Sequence, residues 1–118
     1  MLGKTVWTIA DGFMSDTKTE KFVSHESVCV LNLSGEKADI KISVYFEDEA
    51  PLKGFTAECE SERTNHIRLD KIVNDKGEKI PTEKPYALLI ESTVPVIVQH
   101  SRLDVSQPDM TLMTTIAY

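Results

Sequence analysis

Apolar and polar side chains alternate along several short stretches of this sequence, and a period of two restricts such a chain to β-structure. In the clearest stretch, 40–47, the even positions are apolar and the odd positions are mostly polar. The stretch 55–60 repeats the pattern with the opposite parity, so Phe55, Ala57 and Cys59 should face inward. Alternation of this kind is typical of strands that rest one face on a core. No helical period is sustained for three turns, and we therefore predict an all-β chain.

Turn residues between the apolar stretches indicate the architecture. Gly, Pro, Asn and Asp recur there, for example at Gly12 and Gly35, because they satisfy turn geometry that β-branched residues do not. About eight strands are predicted, at 5–10, 28–33, 40–47, 55–60, 64–69, 86–90, 94–98 and 111–118. That spacing predicts a two-sheet β-sandwich of jelly-roll type. A chain of 118 residues has the length of one domain, so we expect a single domain over 1–118.

Charge and hydropathy narrow the choice of partners and location. The net charge of −6 repels phosphate backbones and disfavours nucleic acid as a partner. The longest apolar run, 94–98, is far shorter than the roughly 20 residues that a helix needs to cross a bilayer. The N-terminal residues do not resemble a secretion signal. We therefore expect a cytoplasmic protein without a segment inserted in a membrane.

The final segment, 110–118, contains no charged side chain. A bare edge strand of that composition would pair with other chains in an uncontrolled way. We expect this strand to be covered either by the other sheet or by a second subunit. The second alternative predicts a homo-oligomer.

Polar residues that interrupt apolar strands are the candidate site, because burying such groups unpaired costs about 1–3 kcal/mol each. Three interruptions each contain one histidine: 24–26, 63–68 and 99–104. A tryptophan in the first predicted strand adds a flat apolar surface. The candidate residues for binding a ligand or partner are Trp7, His25, Glu26, Arg63, His66, Arg68, Gln99, His100, Arg102 and Asp104.

Strand alternation assigns some of these residues to shared faces. His66 and Arg68 should point to one side of their strand, and His100, Arg102 and Asp104 should share a face of theirs. Residues that share a face in this way could contact the same ligand or partner.

Four interpretations fit the candidate set. A metal site would use the three histidines with Glu26, although no paired-histidine motif fixes two of them together. Hydrolytic catalysis would need a nucleophile elbow or a glycine-rich loop, and the sequence has neither. The residues could brace the fold through ion pairs such as Arg102 with Glu26 or Asp104. They could also form a recognition surface, with Trp7 either in the core or beside it.

Several stretches resemble the sensory rhodopsin transducer family, the small soluble proteins associated with some microbial sensory rhodopsins. They are 7–12, 22–32, 63–68, 94–104 and 115–118, and they run from the first strand to the last residue. The resemblance implies a jelly-roll β-sandwich that assembles as a homotetramer and signals in the cytoplasm without known catalytic activity. It also implies a carbohydrate or other small-ligand role for relatives that lack a rhodopsin. The loops 14–21 and 70–84 match the family poorly, so no partner contacts are transferred.

We therefore predict a non-enzymatic signalling or accessory protein that binds a protein partner, with no cofactor, metal or catalytic residue. The alternative is a carbohydrate-binding module in which Trp7 stacks on a sugar. A DNA-contacting regulator of the same fold is a third possibility, and it would require a local basic patch. A sugar site needs an exposed aromatic ring beside hydrogen-bonding groups, whereas a protein-binding surface needs an apolar patch bordered by charges.

Overall fold

A computed structural model describes residues 2–118 as seven β-strands joined by turns and loops. The strands are β1 (Lys4–Gly12), β2 (His25–Asn32), β3 (Ala38–Tyr45), β4 (Leu52–Cys59), β5 (Arg63–Arg68), β6 (Tyr86–Asp104) and β7 (Thr111–Ile116). Residues 2–118 contain no helix, and so none that could cross a membrane. The prediction of an all-β chain is confirmed.

All seven strands form one curled antiparallel sheet around the long strand β6. The start of β6 pairs with β1 and β3, and its end pairs with β2 and β7. Strand β4 extends the sheet from β3, and β5 extends it from β2. We call β1, β3, β4 and the start of β6 the first half of the sheet, and β2, β5, β7 and the end of β6 the second half.

Strand β6 differs from the sequence prediction, which divided it into two strands at 86–90 and 94–98. The two runs form one strand of 19 residues, so the sheet has seven strands rather than about eight. The predicted gap was at Glu91, Ser92 and Thr93, whereas Pro95, which has no N–H to donate to a ladder, was placed within the second predicted strand. In the structure the ladder with β3 ends at Ser92 and the ladder with β2 begins at Ile97. Pro95 thus lies between these two ladders, at the irregularity in the pairing of β1 with β6 between Lys4 and Val6.

The core lies on the concave side of the sheet, where the two halves face each other. The predicted alternation is confirmed in β3, whose Ile40, Ile42 and Val44 are buried while Lys41 is exposed. Phe55 of β4 is also fully buried, as its parity predicts. Branched and aromatic side chains favour strands because they pack well on a pleated surface. Burial of these residues fixes which side of each strand points out.

Strands β1 and β7 are edge strands that meet at one point. Thr8 and Tyr118 exchange two backbone hydrogen bonds, and the bond from Tyr118 N to Thr8 O is 2.9 Å. Beyond this pair the two edges separate. We call the gap between residues 8–11 of β1 and residues 113–118 the β1–β7 seam.

Candidate functional site

The predicted site residues lie in three places. Glu26, His100 and Arg102 are inside the curled sheet. His25, His66, Arg68 and Gln99 are on the outer face of the second half. Trp7, Arg63 and Asp104 each have other local partners. The shared faces expected from alternation are confirmed by the strand registers.

Glu26 is the centre of the buried group. Its side chain is 0% exposed. One carboxylate oxygen, Oε2, accepts hydrogen bonds from Arg102 Nε at 2.6 Å and from the backbone N–H of Phe13 at 3.1 Å. The other oxygen, Oε1, accepts a hydrogen bond from the hydroxyl of Tyr86. We call Glu26 with Phe13, Tyr86, His100 and Arg102 the Glu26 cluster.

His100 belongs to this cluster but is not hydrogen-bonded in it. Its Nε2 atom lies 3.2 Å from Glu26 Oε1, close enough for an electrostatic interaction, yet the two groups are not aligned for a hydrogen bond. The ring is 1% exposed. Burial and misalignment leave Nε2 without a partner in the part of the chain that the structure describes.

The cluster joins parts of the sheet that are distant in sequence. Glu26 comes from β2 in the second half, whereas Tyr86 comes from the start of β6 in the first half. Arg102 reaches further, to the backbone oxygen of Asp11 at 3.3 Å. The predicted bracing pair of Arg102 with Glu26 is therefore confirmed. Asp104 instead accepts a hydrogen bond from the backbone N–H of Ser106 at 2.7 Å.

The surroundings of Glu26 favour its ionised form. Burial alone raises the pKa of Glu26, but the polar groups around the carboxylate outweigh burial and hold that pKa below its ordinary value. Burial, followed by the charge of Glu26, raises the pKa of Tyr86, which stays neutral. Burial lowers the pKa of Arg102, but its hydrogen bond to Glu26 reverses the shift and raises it. The cluster therefore contains a carboxylate, a neutral phenol and a guanidinium.

The stability of the protein should depend on pH through Glu26. Because the pKa of Glu26 is lower in the folded state than its ordinary 4.5, the unfolded state takes up the proton first as the pH falls. This contribution is present above pH 4.5 and is lost as the pH falls through the folded-state pKa. Urea unfolding below pH 4.5 should show a shallower fall in stability for Glu26→Gln than for the parent. Equal slopes would contradict the ionised assignment.

Tyr86 and Phe13 were missed by the sequence analysis. Tyr86 could have been identified, because a tyrosine at the start of a buried apolar run needs a hydrogen-bond partner for its hydroxyl. Phe13 contributes only its backbone N–H, which no side-chain pattern reveals. Packing against Tyr86 also restricts position 12 to glycine, because a Cβ there would clash with the Tyr86 ring.

The outer face of the second half is largely neutral and apolar. Cross-strand pairs bring together Leu31 with Ile97, and Leu103 with Leu112. Leu112 is 72% exposed, and Ile116 is 67% exposed. We call this set the apolar face: Ser27, Cys29, Leu31, Ile97, Gln99, Ser101, Leu103, Leu112, Thr114 and Ile116. His25, His66 and the Arg68–Asp70 ion pair lie along its border.

The outer face of the first half is charged. Asp39, Lys41, Glu58 and Glu91 are exposed there on adjacent strands. A shallow trough of about 680 Å³ crosses this face, and none of the predicted site residues lines it. The two outer faces of one sheet thus differ sharply in charge.

The remaining predicted residues have local roles. The indole N–H of Trp7 donates to the backbone oxygens of Lys4 at 3.0 Å and Val96 at 2.9 Å. The ring packs partly against the core, and the ammonium of Lys4 lies 4.5 Å from its centre. Arg63 donates to the backbone oxygen of Glu62. Residues 2–118 contain no group of three His, Cys, Asp or Glu side chains that could hold a metal ion.

Comparison with known proteins gives one consistent result. The family model of the Anabaena sensory rhodopsin transducer matches residues 2–118. The crystal structure of Thermotoga maritima 1070 is similar to all of this chain, covering 100% of it and 96% of that chain, with 42% identity and a TM-score of 0.89. The Anabaena sensory rhodopsin transducer is similar over 91% of this chain and 94% of its own, with 34% identity and a TM-score of 0.77. No curated protein matches significantly. This chain belongs to the Anabaena sensory rhodopsin transducer family.

Proposed function

We propose that this chain is a non-enzymatic signalling or accessory protein that works in the cytoplasm by binding a protein partner. The observation that carries the proposal is the match of residues 2–118 to the family model of a sensory rhodopsin transducer. The apolar face shows in addition that a single chain exposes a surface for contact with other protein chains, because contiguous exposed apolar area on a small protein is typically covered by a second copy or by another protein.

The Glu26 cluster supports binding rather than turnover. Both oxygens of Glu26 already accept hydrogen bonds from other groups of the chain. A carboxylate held in this way stabilises the fold, whereas a general base needs a free lone pair directed at a substrate. The cluster therefore serves as a brace between the two halves.

We further propose that the curled sheet of each chain is a two-sheet β-sandwich of jelly-roll type, and that four such copies assemble as a homotetramer through the apolar face. Each copy carries a net charge of −6, so copies repel one another unless their contact avoids like charges. The apolar face meets that condition, since Asp70 on its border is paired with Arg68 at 2.8 Å. The charged outer face of the first half does not.

A carbohydrate site at Trp7 has less support. Sugar stacking needs an open aromatic face beside donors and acceptors. The ring of Trp7 is half-buried, with the ammonium of Lys4 over it and its N–H already bonded to two backbone oxygens. A DNA-contacting role has no support from the net charge.

The partner can be tested directly with a sensory rhodopsin, as the name of the family suggests. We expect saturable binding, with a Kd of about 1–100 μM, when this protein is titrated into Anabaena sensory rhodopsin in lipid nanodiscs. Isothermal titration calorimetry measures it, with the Anabaena transducer as the positive control. If the Anabaena transducer binds and this protein produces no heat of binding, a rhodopsin partner is contradicted.

A further inference from the structure

A small pocket lies beside the Glu26 cluster, in the second half of the sheet. Its walls come from the end of β6, from β7 and from the turn between these strands. They are Arg102, Asp104, Ser106, Gln107, Thr111 and Met113. The volume is about 210 Å³, whereas pockets for drug-sized ligands usually enclose about 300–1,000 Å³. We call this site the Arg102 pocket, and its size suits a small molecule.

The guanidinium of Arg102 is fixed in place but keeps free donors. Its Nε donates to Glu26 Oε2 at 2.6 Å, and its Nη2 donates to the backbone oxygen of Asp11 at 3.3 Å. The third nitrogen, Nη1, has no hydrogen-bond partner in residues 2–118 and is not sealed in the core. A guanidinium is planar and rigid, so bonds to two of its nitrogens also set the direction of the third. Nη1 is therefore a preorganised donor for a carboxylate.

Asp104 supplies the opposite charge on the same face of β6. Its Oδ1 accepts a hydrogen bond from the backbone N–H of Ser106 at 2.7 Å, while Oδ2 has no partner in the described part of the chain. Hydrogen bonding to Ser106 also holds the pKa of Asp104 below its ordinary value, so the carboxylate is ionised at neutral pH. Two residues along a strand span about 7 Å. Arg102 forms its ion pairs with Glu26 and Asp11, and the charge of Asp104 stands apart from it.

These charges favour a ligand that carries both signs. Glu26 and Asp11 already balance Arg102, and Asp104 adds a further negative charge, so a simple anion would be repelled. A simple cation would pair with Asp104 but leave Nη1 without an acceptor. A neutral sugar would leave both charges without a counterion. A zwitterion satisfies both groups and adds no net charge to the site.

We propose that the Arg102 pocket binds a free α-amino acid. The carboxylate of the ligand accepts hydrogen bonds from Nη1 of Arg102, and its ammonium group donates to Oδ2 of Asp104. Both groups are attached to one carbon of the ligand, so with one hydrogen bond at each end they span a gap of this length. The small volume restricts the ligand to a short side chain, which packs against Met113. This site would add recognition of a small molecule to the proposed binding of a protein partner.

The test is to titrate the common L-α-amino acids, one at a time, into the 118-residue protein. We expect at least one with a short side chain to bind with a Kd below about 1 mM by isothermal titration calorimetry. In NMR spectra the same amino acid should shift the amide signals of residues 104–107 and 111–113. If no amino acid binds with a Kd below about 1 mM, the proposal is overturned.

Two derivatives of the amino acid that binds test its two charges separately. The carboxamide lacks the carboxylate, and the N-acetyl derivative lacks the ammonium group. Each should bind at least tenfold more weakly than the parent amino acid. If the N-acetyl derivative binds as tightly, the pocket is an anion site, and if the carboxamide does, it is a cation site. Either result overturns the proposal.

Two aspartates near the pocket provide a matched pair of variants. Asp104→Asn keeps an oxygen for the N–H of Ser106 but removes the charge, so it should weaken amino-acid binding at least tenfold. Asp109 is exposed in the same turn and does not line the pocket, so Asp109→Asn should leave binding within twofold. Thr111→Trp, at an exposed position in the wall, should fill the pocket and abolish binding.

Equal affinities for the Asp104→Asn and Asp109→Asn proteins would place the amino acid elsewhere and overturn the assignment. Urea unfolding of each variant checks that the fold is retained. None of these measurements involves a rhodopsin. Failure of amino-acid binding would therefore leave the proposed partner-binding function standing, and failure of rhodopsin binding would leave the pocket.

Discussion

Replacing Glu26 by alanine is expected to lower the free energy of unfolding by about 3–5 kcal/mol, the cost of removing one partner from a buried ion pair. The substitution leaves the guanidinium of Arg102, the hydroxyl of Tyr86 and the N–H of Phe13 without their acceptor. These groups come from both halves of the sheet, so the loss also removes a connection between them. Urea unfolding monitored by the fluorescence of Trp7 measures the change.

Glu91→Ala is the matched control for that experiment. Glu91 is an exposed carboxylate in β6, and its replacement should change the stability by no more than about 0.5 kcal/mol. Glu26→Gln should fall between the two, because an amide keeps the shape and one acceptor oxygen. Similar stabilities for the Glu26→Ala and Glu91→Ala proteins would refute the bracing role of the cluster.

Leu112→Glu is expected to convert the assembled protein to monomers at micromolar concentration. Leu112 is 72% exposed in one chain, so the substitution should not disturb the fold. In an assembly it would place a carboxylate in an apolar contact, at a cost of a few kcal/mol or about 100-fold in the dissociation constant. Sedimentation velocity measures the distribution of species.

Thr56→Glu is the control on the opposite side of the sheet. Thr56 is exposed on the charged outer face of the first half, and a carboxylate there should leave the assembly intact. A parent protein that sediments as a monomer at micromolar concentration would remove the proposed tetramer. Equal dissociation by the two variants would place the contact elsewhere.

Local patterns in the sequence were enough to predict most of the strands. Period-two alternation identified β3 and β4 and the side of each that is buried, because side-chain direction in a strand depends only on parity. The division of β6 at 91–93 failed because the polar residues Glu91, Ser92 and Thr93 separate two apolar runs, and no local pattern shows that the strand continues through them. Whether a strand continues through such residues depends on the neighbouring strands, here β1 and β3, and these are far away in sequence.

The candidate site was predictable only where residues interact across one pair of strands. Glu26 and Arg102 were both identified from their positions within apolar strands, and the register of β2 with β6 brings them together. Tyr86 joins them only through the curl of the sheet, which no local pattern encodes. The β1–β7 seam was not visible either, since it is a gap between two strands at opposite ends of the chain.

The position of β6 within the chain has a consequence for synthesis. Strands β1, β2 and β3 all leave the ribosome before β6, and each takes a principal backbone partner from it. Until residues 86–104 emerge, only the ladders of β3 with β4 and of β2 with β5 are available. Non-local pairing of this kind is slow and leaves strand edges open to aggregation. A nascent chain should therefore gain protease resistance abruptly and late, once its sixth strand has left the ribosome.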